Sequence, residues 1–178
     1  PSGNIYIMTN AHVCALADQN RQITIEHKGS RVNRTIVSVY KDHDLCLIEK
    51  LPKVKSGIKI ASSSDVGEDL YLIGHPSGRP LTLSKGELIF QKTINILMSK
   101  PEQDCKGQYI PDLLFLPGGC VESFISHGIS AISFPGNSGS PVINKYGNLI
   151  GVLFAGSNQP TDSYMVPLRF IKKFIKDF

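Results

Sequence analysis

No apolar run in this chain approaches the ~18 uninterrupted residues of a membrane-spanning helix, so it holds no candidate membrane span. No secretory leader is visible either, and the chain is expected to be a mature or trimmed domain whose targeting information lies elsewhere. Cysteine is scarce. Cys14, Cys46, Cys105 and Cys120 are too few for a disulfide-dense scaffold, and without a C-x-x-C pair they offer no zinc site. Cys14 and Cys46 alternate with Leu and Val on expected core strands and read as buried free thiols. Cys105 and Cys120 flank a loop-like stretch that a bridge could close, which leaves the redox compartment open. No internal repeat is evident, and no strong charge imbalance: the net charge of +4 is modest for 178 residues.

That length suits one large domain or two small, closely packed halves, and 41% hydrophobic with 19% charged residues is ordinary for a globular protein. The densest basic cluster, Arg169, Lys172, Lys173 and Lys176, interleaves with Phe170, Ile171, Phe174, Ile175 and Phe178. This predicts a helix from Pro167 with one apolar and one solvated basic face, rather than a nucleic-acid or membrane surface. A short helical turn is also expected after His12, through Ala15 to Ala17. Elsewhere short apolar alternations recur, among them Ile5 to Met8, Thr35 to Tyr40, Leu45 to Ile48, Leu70 to Ile73, Glu87 to Phe90, Leu149 to Phe154 and Tyr164 to Val166. Gly, Pro, Asn or Ser separates most of them, the pattern of antiparallel, all-β structure.

Pro135-Gly-Asn-Ser-Gly-Ser-Pro-Val142 places Ser138 in a tight glycine turn that opens a strand. The N–H groups of Gly136 and Ser138 could point together at a developing negative charge, making Ser138 a candidate nucleophile beside its own oxyanion hole. Such a turn is equally an ordinary hairpin corner, so the motif alone leaves both readings open. Upstream, Thr9-Asn-Ala-His-Val13 ends an apolar strand and supplies His12, while Lys41-Asp-His-Asp-Leu-Cys-Leu-Ile48 supplies Asp44 at the start of another. A serine hydroxyl is a poor nucleophile without a base, and a base needs an orienting partner; these three residue types meet that need. Read singly, His12 is a strand-end histidine and Asp44 a cap. His27, His43, His75 and His127 lack such context and read as surface or structural.

In order and motif, His12, Asp44 and Ser138 resemble the catalytic triad of the trypsin-like, chymotrypsin-fold serine proteases. The segment Val66-Gly-Glu-Asp-Leu-Tyr-Leu-Ile-Gly-His-Pro-Ser-Gly78 is similar to the "VGD…IGNPFG" stretch of the HtrA-like branch. Leu83-Ser-Lys-Gly-Glu-Leu-Ile89 resembles its next strand, Gly147 to Val152 the hairpin after the nucleophile, and Tyr164-Met-Val-Pro167 the "F-A-I-P" before the last helix. Residues 91 to 127 lie outside the resemblance, and no PDZ module follows the helix. Asp44-Leu-Cys-Leu-Ile matches the family's "D-[IL]-A-[LV]-[LI]", which favours Asp44 over Asp42.

The resemblance implies two six-stranded antiparallel barrels meeting at a cleft, with a first half over 1–58 carrying His12 and Asp44 and a second over 59–178 carrying Ser138. It also implies about two strands ahead of the histidine motif, so the first strand is expected to be missing. The activity implied is a serine endopeptidase acting on peptides or proteins, with no metal or organic cofactor, in a periplasmic or secreted setting. The alternatives are a catalytically silent peptide-binding module of the same fold and a viral or phage polyprotein-processing protease. For substrate binding the resemblance points to Phe154, Ala155 and Gly156 as a strand pairing with extended peptide, and to Ile132 and Ser133 at the pocket floor. Ile132 at that floor favours apolar or small side chains. Asp162 falls on the pocket wall, where a carboxylate would instead favour Lys or Arg, unless it is an exposed loop acid.

Overall fold

The computed structural model describes residues 4–98, 102–113, 116–156 and 163–178. Four strands make a first antiparallel sheet in the order β1 (Tyr6–Thr9), β4 (Leu45–Glu49), β3 (Ser30–Tyr40) and β2 (Gln22–His27). The second sheet contains β5 (Asp69–Gly74), β6 (Thr82–Met98), β7 (Gln108–Leu113), β8 (Leu116–Ile129), β9 (Pro141–Asn144), β10 (Leu149–Gly156) and β11 (Ser163–Pro167). Its order is β11-β10-β9-β5-β6-β8-β7, and β11 also pairs with β8, so six of these strands run round to meet. The first sheet stays open. Among the described residues the two sheets, of four and seven strands, are consistent with the expected chymotrypsin-like double barrel, though the barrels are not strictly closed.

Period-two patterning explains where each sheet buries its side chains. On β5, Leu70, Leu72 and Gly74 turn inward, and the two leucines join Leu88, Ile129, Val142, Ile150, Leu153 and Met165 in the core of the second sheet. β4 is apolar without alternation because both its faces are covered. Leu45 and Leu47 enter a cluster with Phe124, Val152, Phe154, Val166, Ile171 and Phe174, whereas Cys46 and Ile48 pack with Cys14 and Ile36. β10 divides in the same manner, Ile150 and Leu153 toward one core and Val152 and Phe154 toward the other. One apolar layer therefore joins the two sheets.

The alternation at Glu87–Phe90 is part of a longer strand, β6, which runs on to Met98. It pairs with β8 from Leu88↔Ile129 to Met98↔Cys120, and β7 adds to the far edge of β8. Ile94, Ile96 and Met98 of this ribbon pack against the inter-sheet layer. Lys106, beside the ribbon, forms an ion pair with Asp42 of the first half.

Both cysteine pairs are disulfides. Cys105–Cys120 closes the ribbon, as the loop-like stretch between them allowed. The reading of Cys14 and Cys46 as free thiols is corrected: their Cα atoms lie 6.5 Å apart across the core and the sulfurs are bonded. Alternation with apolar neighbours reports burial, and burial is shared by thiols and bridges alike. The first helix also differs from expectation, since α1 (Ala11–Cys14) carries His12 itself and ends before Ala15.

α2 (Leu168–Asp177) follows Pro167, which occupies its N-cap. Leu168, Ile171 and Phe174 recur at the 3–4 residue spacing of one helical face and are buried, while Arg169, Lys172, Lys173 and Lys176 face outward. Ile171 is fully buried in the inter-sheet layer. Replacing it with alanine leaves a cavity, and Ile171→Ala is expected to cost about 2–5 kcal/mol in urea unfolding. A loss below about 1 kcal/mol would show that the helix does not hold the layer together.

Candidate active site

The β1–β4 ladder ends at Thr9↔Cys46, and the chain then turns into α1. Asn10, fully buried, donates from Nδ2 to the Asp44 carbonyl at 3.0 Å. Across from it, a 3-10 turn over Lys41–His43 delivers Asp44 in the left-handed region, φ 51° and ψ 47°. Aspartate is one of the few non-glycine residues at ease there. The two arms meet through the carboxylate: His12 N–H donates to Oδ1 at 2.9 Å, and Nδ1 lies 2.7 Å from Oδ2. An ionised carboxylate only accepts, so the proton of neutral His12 sits on Nδ1 and Nε2 keeps its lone pair. The Asp44 side chain is 7% exposed and that of His12 is 37% exposed, a buried anchor under an accessible ring.

Asp42, the rival carboxylate, turns elsewhere. It is exposed and bound to Lys106, whose hydrogen bond and charge hold its carboxyl below the usual carboxylate range. His43 stacks on Phe170 at 3.5 Å between ring centroids, and burial there pushes its pKa down. His127 is buried, its Nε2 3.0 Å from Gln91 Oε1, and burial lowers its pKa as well. His27 is exposed; so is His75, whose Nδ1 lies 3.1 Å from the Arg79 carbonyl.

Phe134-Pro135-Gly136-Asn137 is a reverse turn closed by Asn137 N–H donating to the Phe134 carbonyl at 3.1 Å. Proline in the second position and φ +93° at Gly136 in the third make it type II, which requires a residue free to take positive φ. The Pro135 carbonyl accepts the Ser77 N–H at 2.6 Å. In a planar trans peptide the C=O and N–H oppose each other, so the Gly136 N–H points away from the loop carrying Ser77. On the other side of Ser138, Gly139 adopts φ +83° and lies flat against the Thr9 side chain, where a Cβ would collide with Oγ1. Its N–H donates to the Leu153 carbonyl at 2.9 Å, and Leu153 N–H donates to Ser140 at 2.9 Å. Ser138 thereby sits between β10 and the end of β1 that leads to His12. Its hydroxyl makes no hydrogen bond to a described residue.

β10 pairs with β11 through Ala155↔Tyr164 and Gly156↔Ser163, while its ladder with β9 ends at Val152↔Pro141. Among the described residues nothing pairs with the second edge of Phe154–Gly156. Ser133 is buried, and its Oγ accepts from Ser163 Oγ at 2.9 Å, which brings it to the strand beside Gly156. Ile132 goes the other way. It lines a cavity of about 240 Å³ with Leu72, Pro76, Leu83, Phe134 and Asn137, to which Phe154, Ala155 and Gly156 contribute nothing. Adjacent residues of an extended segment face opposite sides, and Ser133 rather than Ile132 is joined to the neighbour of the open strand. Asp162 lies outside the described residues.

Sequence reasoning missed Asn10 and Ser77. Asn10 had a visible signal, a buried-type position between a strand and a helix start; Ser77 acts through its backbone, which no side-chain pattern announces. No cluster of three or more potential metal ligands occurs among the described residues.

Residues 1–152 match the trypsin-like peptidase domain family. Two relatives from Staphylococcus aureus, each a serine protease HtrA-like, from strains RF122 / ET3-1 and USA300, are 30% and 29% identical over 97% of this chain. The chain spans 22% of their length. Among solved structures, the Rv3671c protease of M. tuberculosis in its active form is similar over 95% of this chain and 67% of its own, with TM-score 0.67 and 20% identity. The HtrA-type protease AlgW with a decapeptide is similar over 99% of this chain and 49% of its own, with TM-score 0.69 and 22% identity. With a family match over most of its length and this fold beneath it, the chain belongs to the trypsin-like peptidase domain family.

Proposed function

We propose that this domain is a serine endopeptidase that uses Ser138 as nucleophile, His12 as general base and acid, and Asp44 as the group that orients and charges-balances the ring. The observation that carries this reading is the 2.7 Å contact between His12 Nδ1 and the buried Asp44 carboxylate. It leaves Nε2 to take the Ser138 proton as Oγ attacks the scissile carbonyl, and the imidazolium so formed is stabilised by Asp44 without transfer of its proton. The N–H groups of Gly136 and Ser138 stabilise the tetrahedral oxyanion. His12 Nε2–H then protonates the leaving amine. Water, deprotonated by the same nitrogen, attacks the acyl-enzyme, and the proton passes to Ser138 Oγ as the acid product leaves. That the Ser138 hydroxyl makes no hydrogen bond to a described residue is compatible with this, because catalytic hydrogen bonds often tighten only around substrate.

The open edge of Phe154–Gly156 supports binding of an extended peptide or protein chain by added-strand pairing. The neutral hydroxyls of Ser133 and Ser163, below the end of that strand, support a preference for uncharged, small or aliphatic side chains before the scissile bond. The relatives' name and the peptide bound to AlgW are in keeping with a protein substrate.

Ser138→Ala is expected to lower kcat/KM by at least ~10⁴-fold with folding intact, and to abolish labelling by a fluorophosphonate. Unchanged turnover by the purified variant would remove Ser138 from the mechanism. Asp44→Asn should lower kcat by about 10⁴-fold, since an amide no longer fixes the ring's proton on Nδ1. Asp42→Asn, which loses only an exposed ion pair, should change kcat little; the reverse ranking would name Asp42 as the orienting residue. Finally, a peptide-library profile should favour uncharged side chains before the cleaved bond. A strong Lys or Arg preference that vanishes in Asp162→Ala would transfer control of the pocket to Asp162.

A further inference from the structure

Cys14 follows His12 by two residues and Cys46 follows Asp44 by two, so the disulfide and the His12–Asp44 contact both span 32 residues of chain and join the same two segments. We infer that the Cys14–Cys46 disulfide is a covalent positioning element for the His12–Asp44 pair, so that the catalytic geometry depends on this bridge being oxidised. The inference rests on the protease reading for its kinetic consequence, though not for its geometric one.

The segment carrying His12 has little else to hold it. Sheet pairing stops at Thr9↔Cys46. α1 has four residues and no side-chain cap, far short of the length at which a helix holds itself. Beyond it Leu16 is 82% exposed, and most of residues 15–21 lie at the surface. The remaining tethers to the Asp44 segment are the Asn10 and His12 hydrogen bonds and the disulfide. Those hydrogen bonds converge on Asp44 and include the contact to be positioned. The bridge fixes α1 covalently to β4 from its far end, on the face turned toward Ile36 and Ile48, whereas Ala17 and Asp18 beyond it lean on that cluster and on β2 rather than on the Asp44 segment. Burial does not require it, since two small apolar side chains would fill that core equally well. What the bond adds is a fixed separation between the two arms, and misplacement of a catalytic group by about 1 Å can cost on the order of a hundredfold in rate.

Opening the bridge takes two electrons and two protons. A dithiol supplies both, its thiolate attacking one sulfur to form a mixed disulfide that its second thiol resolves, leaving Cys14 and Cys46 as thiols and the reagent as a disulfide. Cys14 is 4% and Cys46 0% exposed, so attack requires α1 to lift first. Cys105–Cys120 closes the ribbon, which meets the Asp44 segment through the exposed Lys106–Asp42 ion pair and not through α1, and it serves as the comparison bridge.

The test compares the full chain with the Cys14→Val/Cys46→Ala and Cys105→Ala/Cys120→Ala double variants. Two quantities are read: the far-downfield proton resonance of His12 Nδ1–H, and kcat separately from KM on a peptide substrate. Cooperative unfolding checks that each variant is folded. The Cys14/Cys46 variant should lose or broaden the resonance and lose about ten- to a hundredfold in kcat with little change in KM, while the ribbon variant keeps both. A folded Cys14/Cys46 variant with wild-type resonance and kcat would overturn the inference, as would equal losses in both variants. Should that variant fail to fold, the wild-type protein is treated with a dithiol and its thiols are trapped and mapped. Loss of the resonance in step with reduction of Cys14–Cys46 supports the inference; a sharp resonance in folded, reduced protein overturns it. If the wild type neither cleaves peptides nor labels with a fluorophosphonate, the protease reading falls, and the resonance alone decides the positioning.

Discussion

The apolar layer between the two sheets is the contact from which the rest of the architecture follows. Leu45 and Leu47 come from the first sheet, Val152 and Phe154 from β10, Phe124 from the ribbon, and Ile171 and Phe174 from the terminal helix. Each such side chain contributes roughly 1.5–3 kcal/mol when withdrawn from water, so the layer resists sliding. Its position matters because β4 begins at Leu45, directly after Asp44, and β10 receives the backbone of Gly139 and Ser140 at Leu153. Packing β4 on β10 therefore sets the distance between the half that carries His12 and Asp44 and the half that carries Ser138.

Around that layer the candidate site is made of backbone in uncommon conformations. Asp44 is left-handed, and Gly136 and Gly139 both take positive φ on either side of Ser138. Each has a local reason: a carboxylate brought back onto His12, a type II turn, and a close approach to Thr9. Such conformations persist only where surrounding contacts over-determine them. Ser77 N–H on the Pro135 carbonyl and Asn10 on the Asp44 carbonyl are contacts of that kind.

The ribbon of β6, β7 and β8 is tied to the rest of the fold at several points. It prolongs two strands, is closed by Cys105–Cys120, lays Ile94, Ile96 and Met98 on the common layer and reaches Asp42 through Lys106. That ion pair also separates the two aspartates of Asp42-His43-Asp44, one committed to the ribbon and the other to His12.

Much of this was legible in the residues. Period-two runs marked most of the strands, the spacing of Leu168, Ile171 and Phe174 marked the last helix, and the glycines around Ser138 with the motifs at His12 and Asp44 pointed to the candidate site proposed above. Alternation in Lys92-Thr-Ile-Asn-Ile-Leu-Met98 was equally present, although no family motif drew attention to it. Sequence by itself determined which residues are apolar, which can take left-handed backbone and which can exchange a proton, because these are properties of single side chains. Tertiary structure alone decided that Cys14 and Cys46 are bonded, that Ser133 rather than Ile132 lies beside the open strand, and that Ser77 holds the Pro135 carbonyl. Each of these depends on the distance and direction between segments far apart in the chain, and local pattern carries no information about either.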